Sequence, residues 1–117
     1  MAAAALLLAT ACGGSDELVG SWDCAAVIGT SNLRFNEDSS FLMKTRVRHV
    51  ETSATGKWKR SGKRLDLEIE TAPEGSRMKP GTVESLEIVT LDRSVFQWKS
   101  PTGRDMTCRR QPAASGG

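Results

Sequence analysis

One histidine, His49, serves 117 residues, and that scarcity removes a large part of chemistry at once. No second histidine or paired cysteine stands near it, so neither a zinc-type ligand set nor a metal or other cofactor is expected. There is no G-x-S-x-G, no nucleophile with a histidine to serve it and no phosphate-cradling glycine loop, so the chain is not expected to be an enzyme. Glu68 and Glu70 alternate along LDLEIE as the wet face of a strand, not as an acid pair. Charge of one sign is also lacking: 16 basic residues face 14 acidic ones, for a net +2. Nucleic-acid binding, which calls for a one-signed stripe with aromatic platforms, is therefore not expected. No apolar run approaches the ~20 residues that a membrane-spanning helix requires. Internal repeats and a sustained helical period are absent too, and 117 residues suffice for one domain.

What is present begins with a processing signal. Ala2 to Ala9 form a short apolar run, followed by Thr10-Ala11-Cys12-Gly13-Gly14-Ser15. Small residues after an apolar segment mark a cleavage site in an export leader. The string LLLATAC before GGSDE resembles a lipobox, which implies that residues 1–11 are a leader and that Cys12 becomes the first mature residue and carries a lipid. Because a basic segment is missing, the true start of that leader is expected upstream of Met1. Residues 12–17 read as an anchor and flexible tether, residues 18–111 as the folded unit and residues 112–117 as a disordered tail. The expected location is the bacterial cell envelope, facing the periplasm. Gly13 after the cysteine favours the outer membrane over the inner.

Cysteine arithmetic agrees. An odd cysteine in an exported protein needs a role. With Cys12 as anchor, Cys24 and Cys108 remain to pair in an oxidising compartment.

From residue 19 onward, apolar and polar residues alternate in short runs separated by turn chemistry. Strands are expected near 19–28, 31–36, 40–48, 54–60, 64–71, 82–91, 94–99 and 103–110. Hairpin arithmetic sets their register. Turns at Ser61-Gly62, Pro101-Thr102-Gly103, Asp92-Arg93-Ser94 and Glu37-Asp38-Ser39 place Trp58 opposite Leu65, Trp98 opposite Met106, Phe96 opposite Cys108, Ile88 opposite Trp98, and Phe35 opposite Phe41. One apolar face results: Trp22, Cys24, Leu33, Phe35, Phe41, Met43, Trp58, Leu65, Leu67, Ile69, Leu86, Ile88, Phe96, Trp98, Met106 and Cys108. The expected fold is all-β, a small antiparallel up-and-down barrel of eight strands, closed by a Cys24–Cys108 disulfide between the first and last. An open sandwich is the rival architecture.

Gly20-Ser21-Trp22 resembles the G-x-W motif of the lipocalins and the wider calycin group. The run LVGSWDC…LRFNEDSSF…TGKWKRSGKRLDLE is similar to small bacterial lipocalin-like lipoproteins, whose F-x-x-D-G-S/T-F turn carries Gly where this chain has Ser39. The resemblance implies an arginine from the last strand packed across Trp22. Arg109 and Arg110 are the candidates, and Arg110 shares the parity of the inward Met106 and Cys108.

Two functions remain. The resemblance implies a carrier of a small apolar ligand, but three Trp and three Phe facing inward suggest a filled interior. The other is a membrane-tethered interaction module of inhibitor or immunity type, with an envelope protein as partner. It is favoured by an expected outward patch of Val89, Leu91 and Val95.

Overall fold

The computed structural model describes residues 16–26, 29–76 and 78–112. The leader, Cys12 and most of the tail lie outside the described residues. The eight strands are β1 (Gly20–Ala26), β2 (Gly29–Phe35), β3 (Ser40–Val47), β4 (Val50–Ser61), β5 (Arg64–Thr71), β6 (Val83–Leu91), β7 (Val95–Lys99) and β8 (Asp105–Arg110). Each pairs antiparallel with the next, and β8 pairs with β1, so the sheet closes into a barrel in sequence order. Closure leaves no edge strand with unpaired backbone groups. Cys24 lies directly opposite Cys108 across the β1–β8 seam, and the two are disulfide-bonded.

Because side chains alternate with period two, the register decides what is inside. All sixteen residues expected to face inward belong to the buried core or pack against it. Leu18, Ala72, Met78 and Leu91 join them. Aromatic rings organise the interior: Trp22 meets Phe96 edge-on at 5.6 Å between centroids, and Phe35 meets Trp58 the same way at 5.6 Å. Such contacts add ~0.5–1.5 kcal/mol each beyond the area they bury.

Two of the expected turns form as read. Residues 37–39 and 101–103 each make a three-residue loop, closed by Asn36 N–H to Ser40 O at 2.9 Å and Ser100 N–H to Arg104 O at 2.8 Å. The third loop residue is left-handed in both, Ser39 at φ 73° and Gly103 at φ 85°. Phe35 accordingly pairs with Phe41, and Trp98 with Met106.

Others are corrected. The β4–β5 turn is Gly62-Lys63, not Ser61-Gly62. Ser61 pairs with Arg64, Trp58 with Leu67 and Lys57 with Glu68. Gly62, at φ 61°, supplies the left-handed residue at the first turn position, where a hairpin needs it. The slip is two residues, so every side chain keeps its face. Strand β4 begins at Val50, four residues earlier than expected, because Arg48 adopts φ 58° and makes a tight turn without glycine or asparagine. The β6–β7 turn is also tighter than expected: Asp92 N–H donates to Val95 O at 2.9 Å, leaving Arg93 and Ser94 between them. A bulge at Val89 offsets this, so that Ile88 still meets Trp98.

Candidate functional site

The connections divide the barrel into two ends. The floor holds the turns at 37–39, 62–63 and 92–94, together with the segment entering β1. The mouth holds the connections 48–49, 72–82 and 100–104.

The floor is sealed. Asp16 Oδ1 accepts from the Leu18 N–H at 2.9 Å, and Val19 N–H returns to Asp16 O at 3.0 Å. This turn drives Leu18 into the barrel, where it is fully buried. An ion pair of 2.6 Å between Asp16 and Arg60 ties the turn to β4. Trp22 Nε1 donates to Leu18 O at 2.9 Å. Over the Trp22 ring lies the Arg110 guanidinium, 4.3 Å from the centroid. Its nitrogens donate to three backbone carbonyls: Val19 O at 2.8 Å, Arg93 O at 2.7 Å, and Glu17 O. Gly20, at φ 133°, leaves room for that guanidinium, which a Cβ would strike. Of the two candidate arginines, Arg110 thus occupies the expected place. Arg109 faces outward opposite Asp23. Asp16 and Glu17, read from sequence as tether, lie in this turn. An aspartate two residues before an apolar Leu18 was the signal for it.

The candidate interaction patch does not assemble. The Val89 bulge leaves that valine unpaired and 49% exposed, and it shifts the parity of the rest of β6. Leu91 then pairs with Phe96 and packs against the core, while Val95 stays on the outer face. Val89, Leu91 and Val95 therefore do not share one outward surface.

The mouth is different. Met43, Met78, Trp98 and Met106 are only half-buried there, packed on the core from above. Ser31 and Thr45, the inward residues next toward the rim, pair hydroxyl to hydroxyl at 3.2 Å. Met78 comes from the long β5–β6 connection and was not anticipated, since no strand period reaches it. Methionine is unbranched and adaptable, and it recurs where binding surfaces must change shape. Surface clefts of about 690 Å³ beside Arg64, Glu87 and Lys99 and about 520 Å³ beside Asp23, Asn32 and Lys44 lie largely among outward-facing residues. One of about 550 Å³ lies outside the floor beside Arg34, Glu37 and Arg110. Among the described residues no cluster of histidine, cysteine, aspartate and glutamate could hold a metal ion.

A scan of protein-family models finds no match, and a search of curated proteins finds none either. Among solved structures, a lipocalin-like protein from Bacteroides uniformis superposes with a TM-score of 0.62. It covers 82% of this chain and 100% of its own, at 16% sequence identity. The fold is lipocalin-like. In this barrel Gly20 and Trp22 lie at the floor, both against the Arg110 guanidinium.

Proposed function

We propose that the protein is a lipid-anchored binding module of the bacterial envelope, which takes a small apolar ligand at the mouth of its barrel. The observation that carries this is the asymmetry of the two ends. At the floor, Leu18, Trp22 and Arg110 close the barrel with matched hydrogen bonds. At the mouth, three methionines and a tryptophan remain half-buried, and the indole N–H of that tryptophan meets no acceptor among the described residues. Trp58 and Leu91 are half-buried at the floor, but there the Trp58 indole donates to Asn36 O. A lipocalin-like fold is more often a binding than a catalytic one, and the broken Val89–Leu91–Val95 surface removes the main support for a protein-interaction module. The aromatic packing below the mouth keeps the proposed site shallow, so a ligand would rest on Phe96 and Ile88 and would not penetrate to Trp22.

The anchor fits this arrangement. LLLATAC supports acylation at Cys12, and the Cys24–Cys108 bond suits an oxidising compartment. Three residues lie between Cys12 and Asp16, so the two are at most ~14 Å apart. A lipid at Cys12 would hold the floor toward the membrane and turn the mouth away from it.

Two measurements test the reading. Titration with short-chain apolar probes should give saturable, one-to-one quenching or shift of tryptophan fluorescence at micromolar concentrations. Met43→Glu should abolish it by placing a charge in the site. A flat response across alkanes, ketones and esters refutes the binding role. Cys12→Ser should move the protein from the membrane to the soluble fraction, and unchanged fractionation refutes the anchor.

A further inference from the structure

The three tryptophans all face inward, yet their indole nitrogens differ. Trp22 Nε1 donates to Leu18 O at 2.9 Å, and Trp58 Nε1 donates to Asn36 O at 3.0 Å. Both acceptors are backbone carbonyls at the floor. Trp98 Nε1 is shut off from solvent and meets no acceptor among the described residues. A buried donor left without a partner is costly, so native structures rarely keep one without a use. Trp98 stands in β7 between Ile88 and Met106, its ring tilted on Phe96 at 6.4 Å. It belongs to the half-buried layer with Met43, Met78 and Met106.

We infer that Trp98 Nε1–H is the polar contact of the mouth site, and that the ligand is an apolar molecule carrying one neutral hydrogen-bond acceptor, such as a ketone, ester or ether oxygen. This rests on the proposed binding role and narrows its ligand class. The acceptor is neutral because the core contains no buried charged or polar side chain among the described residues. A carboxylate drawn into this layer would lose its hydration with no counter-charge to replace it. An uncharged carbonyl loses less and regains a full hydrogen bond from the indole. The flexible methionines give way around the chain of the ligand, and the rigid indole fixes its one polar atom.

The experiment compares nonane, 2-nonanone and nonanoate on the disulfide-intact full chain. The three indole N–H signals are followed by ¹⁵N-resolved NMR, and Trp98→Phe identifies the Trp98 signal by its loss. The ketone is expected to bind about five- to tenfold more tightly than the alkane, the contribution of one neutral hydrogen bond, and more tightly than the carboxylate. It should shift the Trp98 signal downfield and leave those of Trp22 and Trp58 in place. In Trp98→Phe the ketone should lose its advantage while nonane binds as before. If alkane and ketone both bind but the Trp98 signal stays still, or if Trp98→Phe keeps the ketone preference, the inference fails and the apolar site stands. If the carboxylate binds best, the neutral-acceptor class is wrong. If none of the three binds, the binding role itself fails. If Trp98→Phe does not fold, sequential assignment of the wild-type protein identifies the Trp98 signal, and its shift decides the matter.

Discussion

Replacing Arg110 with alanine tests whether the barrel floor is held by the contacts described for it. The side chain stacks on Trp22 and donates to the carbonyls of Glu17, Val19 and Arg93, joining the entering segment, the β6–β7 turn and the last strand. Stacking of a partly solvated cation on an indole contributes ~0.5–1 kcal/mol. Bonds from a charged donor contribute ~1.5–3 kcal/mol when buried, but Arg110 is half-exposed and water competes, so ~0.5–1 kcal/mol apiece is the appropriate scale. Arg110→Ala should therefore cost about 2–4 kcal/mol, or roughly 10–20 °C in Tm for a domain of this size. Arg110→Lys keeps the charge, but one ammonium cannot fork to three carbonyls, and it should lose at least half as much. Arg109→Ala, one residue earlier and facing outward, should stay within ~0.5 kcal/mol. Urea unfolding followed by tryptophan fluorescence, with all variants sharing one m value, measures this. A loss below ~1 kcal/mol for Arg110→Ala, or equal losses at positions 109 and 110, would refute the reasoning.

Reducing the Cys24–Cys108 bond removes a cross-link over 84 residues, and denaturant titration with and without reductant should show a loss of about 2–5 kcal/mol. Ser39→Gly should stabilise by ~1 kcal/mol in thermal unfolding, because Ser39 holds φ 73° against the preference of a residue with a Cβ; a neutral or negative effect would show that its backbone is not constrained. Acid stability should depend on three turn and strand carboxylates. Asp38 is held below the usual carboxylate value by the Ser40 hydroxyl and N–H, Asp66 by the Ser85 hydroxyl and Arg64, and Asp92 by the N–H groups of Ser94 and Val95. Each folded-state pKa is depressed, so their contribution is complete above the unfolded value of about 3.9 and is lost as pH falls through the folded values. Asp92→Asn should flatten the pH dependence of Tm in that range, and an unchanged slope would count against these bonds.

Most of the barrel was legible without coordinates because side-chain direction in a strand is a local property. Alternation by twos assigns a face to Trp22, Phe41, Trp58 or Phe96 before any partner is known. An error of two residues at the Gly62 turn leaves those faces intact. The pairing of Cys24 with Cys108 followed from their places in the first and last strands, which closure must join. What alternation cannot carry is any departure from itself. The Val89 bulge adds one residue, reverses the face of Leu91 and so dissolves an outward patch that parity had drawn. The turn at Arg48 carries no glycine or asparagine to announce it. The two ends of the barrel are long-range in the same sense. Glu17 and Arg110, 93 residues apart in sequence, meet only once the seam has closed. Whether an inward tryptophan finds a carbonyl depends on which backbone the turns bring over its ring. Sequence alone made Trp22, Trp58 and Trp98 equivalent inward aromatics; the floor turns satisfied the first two, and the closed tertiary structure left Trp98 as the donor at the mouth.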